Sequence, residues 1–444
     1  MNGSLEVSIR ARLDADGPIR VGIVGAGTSG RMIARHLLGG VHGIRLVAVA
    51  NRTLSRAAAV LADAGERDPV VVKTGKDLSN AFSRQRPAIT EDAELLCSAQ
   101  EVDVLVEVTG TVEFGARIVL KAIENRKHVV LVNAELDSTL GPILKVYADA
   151  AGVTLTHTDG EEPGVAMTLV RYLRMIGLRP VAAGNLKGMI DRYRTPETQR
   201  AFATKHNQDP AKVTSFADGT KLCMESTILA NASGFKVGKR GMHGPRCAHV
   251  KEIASLLPAD ELLNGGLVDY ALGAEPYTGA FVVAYEDQPA KRAELEYFKM
   301  GEGPFFVFYT PYHLPHLQIA STIARAALFN DATVAPAGAP VCEVVAVAKR
   351  DLKRGQPLDG VGGFDAYGLI ENATASQADA LLPMGLSEGC RLCRDVRKDQ
   401  PISYRDVELP PGRLCDRLNT EQIDHFIGKG ATPGTEIGIQ PITG

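Results

Sequence analysis

The sequence predicts an α/β protein in three parts: a doubly wound parallel sheet at the amino end, a central α+β unit, and a β-rich unit behind it. Three observations predict this. Short apolar, β-rich runs alternate with helical segments from Ile19 to about residue 158, and a glycine cluster joins the first run to the first helix. Beyond that, the pattern turns to alternating and aromatic-rich runs, and then to short strands separated by polar turns.

Residues 1–18 are polar and read as a helical arm. IRVGIVG, from Ile19, reads as a buried parallel strand that meets Gly25-Ala26-Gly27-Thr28-Ser29-Gly30. A helix from Arg31 to Leu38, a strand Ile44–Ala50 and a helix Leu54–Ala64 complete a βαβ unit. Residues 65–88 read as an insertion with a short helix near Leu78–Arg84. Helix Asp92–Ala99, strand Val102–Val108, helix Phe114–Asn125, strand His128–Val132, helix Leu140–Ala151 and strand Val153–Thr158 close the first domain. The turn DGEEPG leads to a helix Val165–Ile176 and a strand Arg179–Asn185. A helix is expected at Thr220–Ala232, strands at GAFVVAY and PFFVFYT, and a helix near Leu317–Leu328. From Pro336 the chain holds a weak internal repeat. A strand, a charged turn and Gly355-Gln356-Pro357-Leu358 are echoed by Asp399-Gln400-Pro401-Ile402. The expected organisation is an arm (1–18), a dinucleotide domain (19–158), a catalytic and dimer-forming domain (159–335), a β-rich domain (336–410) and a tail (411–444), with a Gly- and Pro-rich end.

Composition narrows the function classes. The chain has 444 residues, 45% hydrophobic and 23% charged, enough for a large core. A net charge of −3 gives no electrostatic footprint for nucleic acid or a membrane surface. No apolar run reaches the ~18 residues of a membrane span, and the polar start lacks a secretory pattern. Seven scattered cysteines suit free thiols in a cytoplasmic setting.

The glycine cluster has the context that gives G-x-G-x-x-G its meaning, with a strand before it and a helix after it. Gly25 permits the tight turn, Gly27 the approach of a pyrophosphate, and Gly30 close helix packing, while Thr28 and Ser29 open the helix whose N–H groups face the phosphates. The second strand ends Asn51-Arg52-Thr53, where an NAD-specific site carries a carboxylate for the ribose hydroxyl. A neutral Asn, a cation and a hydroxyl suit a 2′-phosphate, so NADPH is the expected cofactor. Thr109, Gly110 and Asn133, at later strand ends, are expected along the nicotinamide half.

Three polar clusters mark the central unit as a substrate site. Lys187 and Asp191 share a face if their segment is helical. Asp218 and Lys221 lie at a helix start. Lys239, Arg240, His243 and Arg246 lie in a glycine-interleaved loop suited to closing over an anion. Carbonyl reduction needs a proton donor or cation at the developing alkoxide, and Lys187 or Lys221 could supply it. Asp191, Asp218 and Glu162 could orient the lysines or hold a divalent cation such as Mg or Mn, although no spacing identifies a metal site. Cys390-x-x-Cys393 stands alone as a pair, and His313-x-x-His316 reads as loop packing.

The motifs VGIVGAGTSG, VDVLVEVTGT, the strand ending at Asn133 and DGEEPGVAMTL resemble the homoserine dehydrogenase-like superfamily. The Asp218–Lys221 pair resembles that family's Asp and Lys beside the transferred hydride, with a spacing one residue shorter. Homoserine dehydrogenases carry a lysine directly after the asparagine, whereas this chain reads Asn133-Ala134-Glu135. NLKGMIDRYRTPE likewise replaces their glycine-rich signature. Over nearly its full length the chain resembles the bacterial 1-deoxy-D-xylulose 5-phosphate reductoisomerase-like (DRL) group, which adds a C-terminal SAF (β-clip) domain. The resemblance implies NADPH-dependent isomerisation and reduction of 1-deoxy-D-xylulose 5-phosphate to 2-C-methyl-D-erythritol 4-phosphate, a step of isoprenoid biosynthesis, in a homodimer or higher homo-oligomer. Two alternatives stand beside it: a dehydrogenase or oxidoisomerase of a sugar acid such as a tetronate or apionate, and a non-catalytic NADP-binding regulator.

Overall fold

The computed structural model describes residues 2–66, 68–426 and 428. The amino-terminal domain is a seven-stranded, wholly parallel sheet. Its strands are β1 (Ile19–Val24), β2 (Ile44–Ala50), β3 (Val70–Val71), β4 (Ala88–Thr90), β5 (Val104–Glu107), β6 (His128–Leu131) and β7 (Leu155–His157). The spatial order is β3-β4-β2-β1-β5-β6-β7, so the chain reverses direction across the sheet at β1. Ligands of such sheets bind at this switch point, outside the carboxyl ends of the strands. Apolar side chains cover both faces: Val21, Ile23, Ile33 and Val104 on one, Leu96, Leu105, Ile118 and Leu140 on the other.

The segment 65–88 is not an insertion outside this plan. It supplies β3 and β4, and the helix Gly75–Ser83 between them is closed by a Thr74–Asp77 capping box. Strands of two and three residues are too short to show a period in sequence. The helix expected at Leu140–Ala151 begins six residues earlier, at Ala134. Its first turn carries Glu135 and Asp137, both buried, which breaks the apolar pattern.

The central unit is a four-stranded sheet of β8 (Arg179–Lys187), β9 (Leu267–Leu272), β10 (Ala280–Tyr285) and β11 (Phe305–Thr310), in the order β11-β10-β8-β9. The helices Glu162–Met175 and Thr220–Ser233 pack on it. Helix Thr220–Ser233 is buried from Thr220 to Asn231 and touches all three units. A helix enclosed on every side has no solvent face for charges, so any charge it carries needs a partner.

The third unit is β-rich, built on the hairpin β12 (Cys342–Ala348) and β13 (Ala366–Asn372) and the short pair β14 (Arg391–Leu392) and β15 (Val407–Glu408). The internal repeat is visible in its geometry. Leu352 and Val396 exchange both backbone hydrogen bonds, at 2.8 and 3.1 Å. Asp395 accepts from Arg354 N and Asp351 from Lys398 N, each at 2.9 Å. The two copies therefore face each other about a local twofold. Within the segment 411–444, expected as a tail, Leu414–Phe426 is a helix that packs on the first domain. Its Gln422 donates to Thr139 O, and Glu113 caps its start at Leu414 and Cys415. The Gly- and Pro-rich end lies outside the described residues.

Candidate active site

The cofactor loop has the geometry its sequence requires. Gly25 sits at φ 119°, and a Cβ there would lie 2.9 Å from Val108 O. A Cβ at Gly30 would meet Gly25 O at 2.2 Å, so the helix can start this close only on a glycine. At Gly27 a Cβ would meet nothing within 4 Å, which leaves open space over the helix start where Thr28 and Ser29 are half-buried. No side chain caps this helix, so its first N–H groups are available to an anion. These residues fit a dinucleotide pyrophosphate. Asn51 accepts from Ala26 N at 3.2 Å and donates to Thr53 O at 2.9 Å, tying the loop to the end of β2. Arg52 and Thr53 are exposed beside it.

The ends of β5 and β6 are joined by a residue the sequence reasoning missed. Glu107 is fully buried, and burial raises its carboxyl above the ordinary range against the hydrogen bonds it accepts. It accepts from Thr109 N at 2.9 Å, from the Thr109 hydroxyl, and from Asn133 Nδ2 at 2.7 Å. Asn133 also donates to Thr111 O and accepts from Leu136 N, so its amide is fully spent as a helix cap. Asn133 thus caps the helix and holds the two strand ends together. Gly110 turns the chain there at φ 69°.

At the end of β7 the turn Thr158–Glu161 delivers the chain into helix Glu162–Met175. A Cβ at Gly160 would lie 2.5 Å from Pro315 Cα, so this close approach needs glycine. Ser321 and Thr322 of helix Pro315–Phe329 hold Asp159, which fixes the turn. Glu161 and Glu162 are thereby aimed inward, 9% and 4% exposed. Opposite them stand Lys187, the last residue of β8, and Lys221 and Glu225, one turn apart on the enclosed helix.

These groups form one buried chain of charge. Lys187 Nζ donates to Glu162 Oε1 at 2.7 Å and lies 3.6 Å from Glu225 Oε2. Lys221 Nζ lies 3.9 Å from both Glu161 Oε1 and Glu225 Oε1, too far for a hydrogen bond to either. His157 bonds Glu161 through Nε2, and its Nδ1 is 3.0 Å from Asp137 Oδ2. Asn185 donates to Glu225 Oε2 at 3.2 Å, while its own Oδ1 is buried with no partner. His313 Nε2 reaches to 3.7 Å of Glu162 from the rim.

The electrostatics divide these groups into roles. Burial and the Glu162 charge raise Glu225 to about 8, despite both lysines. Burial also works against Glu161, but Lys221 and His157 outweigh it and hold that carboxyl well below the usual range. Burial would lower His157, yet Glu161 and Asp137 raise it to about 9. Both lysines are pushed up by their carboxylates in spite of burial. At neutral pH the site therefore holds two ammonium groups, an imidazolium, ionised Glu161 and Glu162, and one protonated carboxyl. Lysines fill the gaps between the carboxylates, and among the described residues no group of three or more His, Cys, Asp or Glu could hold a metal ion.

Of the expected substrate-site residues, Glu162, Lys187 and Lys221 come together, and the others go elsewhere. Because Lys187 ends a strand, Asp191 does not share its face; it is a partly exposed ion-pair partner of Arg194 at 3.0 Å. Asp218 turns away from Lys221 and forms a buried 2.9 Å ion pair with Lys349 of the third unit. Arg240 pairs with Glu371 and His243 with Glu261, both at distances under 3 Å, and Gly241 N donates to Ile370 O. Arg246 lies where the chain bridges to Leu272 of β9. The Lys239–Arg246 loop is therefore a structural seam against the third unit. Cys390 is buried and its thiol donates to Leu386 O.

A parallel sheet with this loop, feeding a buried acid–base cluster, defines a dinucleotide-dependent oxidoreductase class. Residues 25–158 match the family model described as the homoserine dehydrogenase NAD-binding domain, and residues 160–319 match that described as the catalytic domain of oxidoreductase DRL. The two matches, side by side in one chain, support a DRL-like oxidoreductase of the homoserine dehydrogenase-like superfamily. A homoserine dehydrogenase of Methylobacillus glycogenes is 32% identical over 123 residues, 27% of this chain and 26% of that protein. The match thus spans about a quarter of the relative's length. Among solved structures, a probable dehydrogenase from Thermotoga maritima shares 13% identity over 72% of this chain and 91% of its own, with a TM-score of 0.42. A homoserine dehydrogenase from Thiobacillus denitrificans shares 14% over 87% and 98%, with a TM-score of 0.38.

Proposed function

We propose that this protein is an NADP(H)-dependent oxidoreductase acting at a hydroxyl- or carbonyl-bearing carbon of a small polyhydroxylated anion. The first reaction to test is the isomerisation and reduction of 1-deoxy-D-xylulose 5-phosphate to 2-C-methyl-D-erythritol 4-phosphate. One observation carries this reading: the buried chain His157–Glu161–Lys221–Glu225–Lys187–Glu162 beside the carboxyl ends of the sheet. When bound, the nicotinamide supplies the hydride. The Gly25–Gly30 loop would hold its pyrophosphate, and Arg52 and Thr53 its 2′-phosphate.

The residues divide the remaining work. Lys187 is committed to Glu162, whereas Lys221 makes no hydrogen bond of its own and can donate to a substrate oxygen. Lys221 stays charged at all moderate pH, so it stabilises a developing alkoxide rather than giving up a proton. Glu225 holds a proton to about pH 8 and can deliver it to that oxygen as hydride reaches the carbon. His157, fixed by Asp137, orients Glu161.

A second reading, oxidation or isomerisation of a sugar acid such as a tetronate, is favoured by one observation. Arg240 and His243, expected to hold a substrate phosphate, are already engaged in ion pairs, which leaves buried lysines better suited to a carboxylate. The test is cofactor turnover with the sugar phosphate against a panel of tetronates and related acids, in wild type and Lys221→Ala. The proposal expects turnover on one substrate class and a loss of roughly 10²–10³ in kcat for the variant, with NADPH binding kept. Near-normal turnover in Lys221→Ala removes that lysine from the chemistry. Cofactor binding without turnover on either class favours a regulator.

A further inference from the structure

At the opposite edge of the first sheet, by the amino ends of β1, β5 and β6, lies a cavity of about 220 Å³. Its walls carry Arg12, Arg20, Arg126 and Lys127. Among the described residues the carboxylate lining it is Asp103, which is already held by Arg20 at 2.5 Å and approached by Arg12 at 3.8 Å. Glu101 stands nearby and is bonded by the Ser79 hydroxyl. Arg12 also pairs with Asp16 at 3.2 Å, so Asp103, Glu101 and Asp16 stand against the four cations and leave an excess of one positive charge around the space.

Lys127 is the telling residue. It is half-buried, and among the described residues its ammonium has no hydrogen-bond or ion-pair partner at contact distance. Leaving a cation unpaired in a partly desolvated place costs free energy, which an arriving anion would recover. Burial, with the Arg20 charge beside it, lowers its proton affinity against the opposing pull of Asp103, Glu101 and Cys97. Arg126 lines the same space. It follows the last turn of helix Val112–Glu124 at φ 56°, the position where glycine is the usual occupant. Its exposed guanidinium lies on the cavity rim, with Nη1 donating to Ala151 O at 3.4 Å. The fourth cation, Arg12, comes from the arm helix Asn2–Asp16, which closes the cavity from outside.

We infer that this cavity is a binding site for a small phosphate-type dianion, separate from the dinucleotide site. Arginine forks and a lysine point charge are the groups that recognise phosphate oxygens. The volume equals roughly seven waters at ~30 Å³ each, enough for a phosphate with a short carbon chain. The ligand is then either free phosphate or a small phosphomonoester.

The test is calorimetric titration of the full-length protein with inorganic phosphate, and separately with glycerol phosphate, at constant ionic strength. Wild type should bind one equivalent saturably. Lys127→Glu and the milder Lys127→Gln should weaken binding, the former at least tenfold, with unchanged melting curves. Arg52→Asp, at the other edge, should leave it unaltered. Equal affinity for the two ligands marks free phosphate as sufficient, and tighter glycerol phosphate marks an ester. Non-saturable binding overturns the site. Loss in Arg52→Asp with retention in Lys127→Glu would place the phosphate at the cofactor loop and overturn it equally.

Discussion

Replacing Glu225 by Gln tests the division of labour in the buried cluster. The carboxyl lies 3.6 Å from Lys187 and 3.9 Å from Lys221, and burial with the Glu162 charge raises it to about 8. At pH 7 it is therefore already neutral, and glutamine replaces it at nearly constant charge and volume. Asn185 loses an acceptor but can turn its amide over, because its Oδ1 has no partner now. The expected stability cost is about 1 kcal/mol, the scale of one neutral hydrogen bond. The catalytic cost is much larger, since a positioned proton donor contributes roughly 10²–10⁴ in rate. In the reducing direction the acid form is the active one. Wild-type kcat should be full below pH 8 and fall above it, near the value of about 8 set by Glu225. In Glu225→Gln the rate should drop by the factor above and the alkaline limb should vanish. The assay is kcat against pH, followed by cofactor absorbance, with thermal melts alongside. A variant that keeps the limb near pH 8, or retains within about threefold of wild-type rate, would show that another group gives the proton.

The remaining predictions concern other parts of the molecule. Arg52→Asp should weaken NADPH by roughly 10–100-fold, the worth of one charge-assisted hydrogen bond, with much less effect on NADH; equal losses in cofactor titrations would count against a 2′-phosphate contact. His157 has a folded value of about 9 against 6.5 for the free group, so its contribution to stability is whole below about pH 6.5 and lost as pH rises through 9. That difference corresponds to about 3 kcal/mol, and His157→Gln should flatten the pH dependence of urea unfolding over this window. Lys349→Met leaves Asp218 as an unpaired buried charge and should cost ~3–5 kcal/mol; Asp218→Asn added to it should restore part of the loss, which a double-mutant cycle by urea unfolding would measure.

The parts of the site that were legible in sequence are those encoded within a few residues. Gly25, Gly27 and Gly30 answer to steric demands of one turn, and Asn51-Arg52-Thr53 follows from where β2 ends. The acid–base cluster is assembled from β7, the turn after it, β8 and an enclosed helix, so no single stretch announces it. Two local signals existed. Lys221 and Glu225 are the charges at i and i+4 in a helix otherwise fit only for burial, and His157 stands just before the DGEEPG turn that contains Glu161. Neighbourhood in sequence misled at Asp218. It lies three residues from Lys221, but it precedes the turn at Gly219 (φ 86°) and faces Lys349 instead. The Lys187–Asp191 pairing failed because it assumed a helix where β8 ends at Lys187 and the chain runs on to Asp191 as an irregular loop, which has no i,i+4 neighbours.

The internal repeat, the weakest sequence signal, explains how the site's floor is held. Its two copies match residue for residue, and Gly355 (φ 84°) corresponds to Asp399 (φ 64°), both left-handed. Glycine is the residue that conformation favours, so the second copy departs from it at a cost. The departure has a use: the Asp399 carboxylate accepts the hydroxyls of Tyr193, at 2.9 Å, and Tyr367, at 3.0 Å. Tyr193 belongs to the loop that leaves β8 just after Lys187, and Lys398 lies 3.6 Å over its ring. On the other side of that loop, Lys349 binds Arg194 O and Asp218 together. The broken symmetry of the third unit thus clamps the two chain segments that carry Lys187 and Lys221. Helix Thr220–Ser233, which carries Lys221, is thereby anchored at its start from outside the cluster. If Lys221 meets the substrate oxygen as proposed, that anchoring ties the β-rich unit to the chemistry without placing any of its residues in the cluster.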